Sequence, residues 1–233
     1  MISIRKIEAL FTKTLKVIYS NLFILTSVIL TPLLAFVLSQ TVAAEAPLYI
    51  LPSMVMLNSM TGGALIVGCL IAEEKEKNTL NVLITSTVST LDFLISKLLV
   101  ALIFALAINI FLYFFLGANG VLNFGIFLGV SSLAALGGAL IGAIIGITSK
   151  TQTSASTTLT PFMMLPILPM LMPPNFFVDN ILYYFFTEQT GFIINDLRNG
   201  GFQLYRIVII TANLAVFATI FAVYYKKRGL GTE

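Results

Sequence analysis

Residues 73–97 read EEKEKNTLNVLITSTVSTLDFLISK, and their reading decides how the rest of the chain is disposed. They form the only long polar segment between two membrane-length apolar runs. Residues 47–72 before them carry no charge, and neither do residues 98–149 after them. A hydrocarbon core takes about 20 apolar residues per helical crossing, so this segment sits at one membrane face. Its first five residues (Glu73, Glu74, Lys75, Glu76, Lys77) are all charged, yet Leu80, Val82, Leu83 and Ile84 follow. A plain solvated loop does not carry that apolar set. A short amphipathic helix that docks on something does.

Composition gives the solvent. The chain has 233 residues, 58% of them hydrophobic, and a mean hydropathy of +1.00. A soluble domain of this size has too little interior to hide that much apolar surface, so lipid surrounds most of the chain. The length fits one membrane domain over residues 1–233 and leaves no room for an appended soluble enzyme. Cys69 is the only cysteine, which excludes an internal disulfide. There is no His, the usual metal ligand and general base, and no Trp.

Residues 1–20 carry Ile4, Ile7, Leu10, Phe11, Leu15 and Ile18 at helical spacing, with Arg5, Lys6, Lys13 and Lys16 between them. They read as an amphipathic helix lying in the membrane interface. As a cleaved leader, the following apolar region would be too long and the basic part too apolar. Six spans are expected after it: 21–40, 47–72, 92–116, 121–148, 156–173 and 204–225. The uncharged block must be divided, because one helix over 98–149 would rise roughly 75 Å; Gly117-Ala118-Asn119-Gly120 supplies the turn. Residues 174–203 are too polar to cross and too apolar to float. They are expected to form short helices buried against the outer membrane surface or dipping into it, with Tyr183 and Tyr184 at the interface.

Eleven basic residues, among them Lys75, Lys77, Lys97, Lys150 and Arg228, fall on one side of this arrangement; only Arg198 and Arg206 fall on the other. The positive-inside rule then puts both termini and residues 73–97 in the cytoplasm of a multi-pass cell-membrane protein. In the fourth span, Gly138, Gly142 and Gly146 recur every four residues. Such spacing lets helix backbones approach closely, either between subunits or within one protomer.

Several chemistries are excluded by what is missing. No G-x-x-x-x-G-K-[ST] occurs, so the chain lacks a P-loop; no H-E-x-x-H or Cys cluster offers a metal site. The span centres carry no charge of the kind that marks ion or proton pathways. Asp92, Lys97 and Arg206 lie near span ends. Energy for transport has to come from elsewhere, and no nucleic-acid partner is expected.

The decisive segment resembles the cytoplasmic segment of ABC-2 type transporter permeases, whose pattern reads approximately E-x-E-x-G-T-L-E-x-L-x-x-[ST]-P-[VL]-S, then an acid and G-K. The matching residues are Glu74, Glu76, Thr79, Leu80, Leu83, Ser86, Val88, Ser89, Asp92 and Lys97. Asn78, Asn81, Thr87 and Ser96 depart from it but leave the register intact. The resemblance implies an all-α polytopic membrane protein in which residues 73–91 include a coupling helix. That helix would seat Glu74, Glu76, Thr79, Leu80, Leu83, Ile84 and Ser89 in a cleft of a separate ATPase subunit. It also implies a second permease subunit, identical or homologous. ATP and magnesium would sit on the ATPase, with no cofactor on this chain.

The same resemblance places the second and fifth spans beside the route. Every Met except the first lies in those two spans, and Met56, Met60, Met163 and Met170, with Pro166, are the candidate path residues. Met repacks around varied apolar partners but also simply fills irregular space. The largely uncharged spans suit a hydrophobic or amphipathic cargo, a peptide first and a lipophilic drug second. A stand-alone secondary transporter or channel, or a membrane scaffold or immunity protein that moves nothing, are the alternatives.

Overall fold

The computed structural model describes residues 4–41, 47–77, 90–168 and 180–228, and these are helical apart from short turns. Helix α1 (Ile4–Ser20) buries Leu10, Thr14 and Ile18, spaced four apart on one face, against the start of α5 (Thr90–Phe115). Helix α2 (Leu22–Thr41) begins where Asn21 Oδ1 accepts from the backbone N–H groups of Phe23 and Ile24. Its buried stripe is Ile24, Ser27, Thr31 and Ala35, while Leu22, Ile29, Leu33 and Phe36 face outward, as a lipid-facing helix requires.

The axis of the fold is one helical rod made of α3 (Pro47–Asn58), a π-helical stretch (Ser59–Leu65) and α4 (Ile66–Glu76). Within it, residues 54–74 are all buried among the other helices. A rod can lie at the centre only if its neighbours come close. Gly138, Gly142 and Gly146 of α6 (Phe124–Thr148) provide for that on one side. A Cβ on Gly138 would overlap Ser59 O, one on Gly142 would overlap Ala64 O, and one on Gly146 would stand 2.8 Å from Gly68 O. The contact is reciprocal, since a Cβ on Gly63 would meet Ala135 O at 2.6 Å. The glycine row therefore packs inside the protomer.

The rod also carries polar side chains at mid-length, and their donor groups find acceptors nearby. Asn58 Nδ2 donates to Ala105 O and to Asn109 Oδ1, both at 2.8 Å, and the Thr31 and Thr61 hydroxyls are 2.9 Å apart. Lipid offers no hydrogen bonds, so such groups have to be satisfied within the bundle.

Five described helices are long and apolar enough to cross a membrane: Leu22–Thr41, Ile50–Glu76, Asp92–Phe115, Phe124–Thr148 and Leu204–Tyr225. The turn expected between the third and fourth is present, with Gly117 and Gly120 at φ 74° and 80°, where a side chain would be strained. The expected span 156–173 is not seen as one helix. Helix α7 (Gln152–Met164) has 13 residues and a rise of about 20 Å, short of the roughly 30 Å of a hydrocarbon core. A turn at 165–167 follows it, and residues 169–179 lie outside the described part.

One further expectation changes. The charged run is not separate from the second span: α4 continues through Glu76, and Glu73 and Glu74 are buried. Of the segment expected to lie against the membrane surface or dip into it, residues 180–198 are described. A 3₁₀ turn (Leu182–Tyr184) leads into α8 (Phe186–Arg198), which starts deep in the bundle. The Phe186 ring fills the space in front of Gly137, in the middle of α6, and lies 5.9 Å from Phe217, midway along α9 (Leu204–Arg228). From there α8 runs back toward the end remote from Glu73, where Asp196 meets Arg206 near the start of α9. With 13 residues it is too short to be a span.

Candidate functional site

The run Glu73–Lys77 forms the last turn of the central rod, and a helix turn points successive side chains about 100° apart. Each therefore reaches a different neighbour. Glu74 Oε1 accepts from Lys97 Nζ on α5 at 2.8 Å and from Lys13 Nζ on α1 at 3.2 Å. Glu73 Oε2 accepts from Asn21 Nδ2 at 3.0 Å, at the α1–α2 joint, and its Oε1 accepts from Lys77 Nζ at 2.6 Å. Lys75 Nζ donates to Ile147 O at the end of α6. Glu76 Oε2 accepts from the backbone N–H of Gln152, the first residue of α7, at 2.9 Å. A carboxylate at a helix N-terminus is favoured both by the free N–H groups there and by the helix dipole.

Lys97 is the deepest member. Its side chain is fully buried, its ammonium also donates to Thr14 Oγ1 at 2.8 Å, and it stands 5.3 Å from the centre of the Phe93 ring. A buried ammonium is tolerable only when paired and hydrogen-bonded, and Glu74 and Thr14 meet that need. Lys77, exposed at the rim, is held above its ordinary pKa by its hydrogen bond to Glu73 and by that carboxylate's charge. Asn21 works twice: its Oδ1 caps α2 while its Nδ2 links Glu73 and, at 3.2 Å, Gln152 Oε1. A groove of about 440 Å³ opens beside this cluster, lined among others by Asn21, Phe23, Glu73, Glu76 and Gln152.

The cluster thus ties α1, α2, α5, α6 and α7 to the end of the central rod. It is also the root of residues 78–89, which join Lys77 to α5. Among the described residues, no group of three or more acids, cysteines and histidines is placed to hold a metal ion.

The residues singled out from sequence fall in three groups. Glu74 and Glu76 belong to the cluster, but Glu74 faces inward, and Glu76 engages α7. Thr79, Leu80, Leu83, Ile84 and Ser89, and Met170 of the path set, lie outside the described residues. Met56 and Met60 are buried in the protomer, Met56 with its sulfur against Gly191 of α8; Met163 is half-buried on α7, and Pro166 is buried in the turn after it. Sequence reasoning passed over Lys13, Thr14, Asn21 and Gln152. Their one advance signal was Lys97 itself, a cation inside an apolar helix, which implies a buried acceptor somewhere.

A family model described as ABC-2 family transporter protein matches residues 40–224. No curated protein matches the chain.

Proposed function

We propose, from the premise that the chain belongs to the ABC-2 family of transporter proteins, that it is the permease subunit of an ATP-driven exporter. As a member of that family it is a membrane transport component and a multi-pass membrane protein. A separate ATPase subunit binds ATP and magnesium, and a second permease subunit completes the route. Residues 73–97 face the cytoplasm with both termini, in the cell membrane, and α7 with the residues after it supplies the sixth crossing. The cargo is hydrophobic or amphipathic, a peptide before a lipophilic drug.

The observation that carries this reading is the anchoring of residues 73–77. An ATPase that pushed on residues 78–89 would move a segment rooted in the central rod and pinned, within one turn, to five other helices. Force applied there is shared by the whole bundle, because packed helices shift as units. A loop bound only to lipid headgroups would need no such root.

The test is substitution of Leu80 and Leu83 by Asp together, in cells that also make the cognate ATPase. Both positions lie outside the membrane-length helices, so insertion should be preserved. Burying an unpaired carboxylate in a docking cleft is costly, so ATPase copurification and cargo-stimulated hydrolysis should fall at least tenfold. Unchanged copurification and hydrolysis would remove the coupling role, and transport by the purified chain without any ATPase would remove the exporter reading altogether.

A further inference from the structure

The first turn of α8 buries an acid that has no partner among the described residues. Glu188 is 8% exposed and its Oε1 accepts no hydrogen bond there. The elements packed on α8 offer it no counter-charge. Helices α3 and α6 contain no Asp, Glu, Lys or Arg at all. On α9 the nearest cation in sequence is Arg206, which is engaged by Asp196 at 2.8 Å and stacks over the Phe192 ring at 4.9 Å. Arg198 and Asp196 stand at the other end of α8, more than two turns away. The 3₁₀ turn before α8 adds Tyr183, whose hydroxyl is 3.2 Å from that of Tyr205, and Tyr184; Asp179 lies outside the described residues.

Depth makes this acid unusual. Phe186, two residues earlier, is level with Gly137 and Phe217, the middles of α6 and α9. Gly191, on the same side of α8 one turn later, presses on Met56 in the central rod. A position in the first turn favours a carboxylate through the helix dipole, but an isolated carboxylate taken out of water loses far more than a dipole returns. The smallest ligand that removes the cost is a proton. Acids at membrane depth are functional sites by default.

We infer that Glu188 is a proton-binding site that latches α8 into the bundle. The carboxyl is neutral while α8 is seated against the central rod. It ionises, releasing one proton to the water at the face remote from Glu73, when this segment swings outward, and takes one up on return. Burial pushes the seated carboxyl up to about 7, while an unseated one has the ordinary value of about 4.3. Between those two values the unseated form binds fewer protons, so raising the pH through this window favours unseating. Below it both forms are protonated and above it both are ionised, and the balance is flat. The site is independent of the ATP-driven reading and would act the same in a stand-alone transporter.

The experiment uses the full chain in lipid nanodiscs. Hydrogen–deuterium exchange over residues 186–198 is compared between wild type and E188Q at matched pH, which cancels the intrinsic pH dependence of exchange. Wild type should match E188Q at about pH 3.5 and lose protection roughly tenfold or more relative to it at about pH 8; D196N should keep the wild-type response. The proton itself is read without substitution in protein labelled with ¹³C-glutamate, where infrared spectroscopy should show a protonated glutamic acid at about pH 6 that vanishes by about pH 9. Wild type and E188Q tracking each other across the range, or no protonated glutamate at pH 6, overturns the assignment.

Discussion

Lys97 Nζ lies 2.8 Å from Glu74 Oε1, with its own side chain fully buried and that of Glu74 only 6% exposed. The pair joins the last turn of the central rod to the second turn of α5, across residues 78–89, the stretch proposed to contact an ATPase. Its desolvated setting separates it from the second cation on the same carboxylate, Lys13, whose side chain is 41% exposed.

That contrast gives the first prediction. E74A strands a buried ammonium and should lower stability by about 3–5 kcal/mol. K13A removes a water-exposed partner and should cost at most about 1 kcal/mol. Replacing both buried charges, E74L with K97M, should recover most of the loss. If the rigid root matters for coupling, that double variant should still uncouple hydrolysis from transport. Thermal unfolding in nanodiscs and cargo-stimulated hydrolysis measure the two effects separately, and equal stability losses for E74A and K13A would contradict the burial argument.

The glycine row gives a second. A methyl group on Gly138 would overlap Ser59 O, and one on Gly142 would overlap Ala64 O, and these are backbone atoms that cannot rotate away. G138A and G142A should force α6 off the rod and cut the yield of monodisperse protein severely. Gly129, on the same helix, has no described atom within 4 Å of where a methyl group would stand, and G129A should be neutral or gain up to about 1 kcal/mol from helix propensity. Size-exclusion profiles and melting temperatures of the three variants decide it.

A third concerns the methionines. Met56 and Met60 are 5% and 0% exposed, so M56A and M60A should behave as core truncations, each costing about 2 kcal/mol or more. Met163 is only half-buried on α7. M163A should cost little stability, and any change in cargo preference should come from it. A selectivity change in M56A or M60A at unchanged melting temperature would instead place those two residues on the path.

Thiol labelling supplies a fourth. Cys69 is fully buried and should stay unmodified by maleimides until the protein is denatured. In a C69S background, N119C and K150C lie at opposite ends of α6, both exposed. An impermeant maleimide should label N119C in intact cells without an outer permeability barrier, and K150C only after the membrane is opened. The reverse pattern would invert the orientation inferred from the basic residues.

The sequence by itself determined the local elements. Uninterrupted apolar runs of membrane length set four spans, 21–40, 92–116, 121–148 and 204–225, within three residues of the observed Leu22–Thr41, Asp92–Phe115, Phe124–Thr148 and Leu204–Tyr225. Glycines at 117 and 120 marked the turn, and the pattern of 73–97 marked the family. These are short-range properties, carried by hydropathy and backbone freedom within one segment. Tertiary structure decided the rest, because partners far apart in sequence leave no local trace. Glu74 finds Lys13 across 61 residues and Lys97 finds Thr14 across 83, so a charged run that looks like a solvated edge becomes the buried end of a helix. The glycine row of α6 announced close packing but not that Ser59, Ala64 and Gly68 would receive it. Glu188 sat in a segment of middling polarity, and only the packing of α8 inside the bundle buried its carboxyl away from any hydrogen-bond donor for Oε1. Whether a charge is solvated, paired or stranded depends on what surrounds it, and folding alone supplies the surroundings.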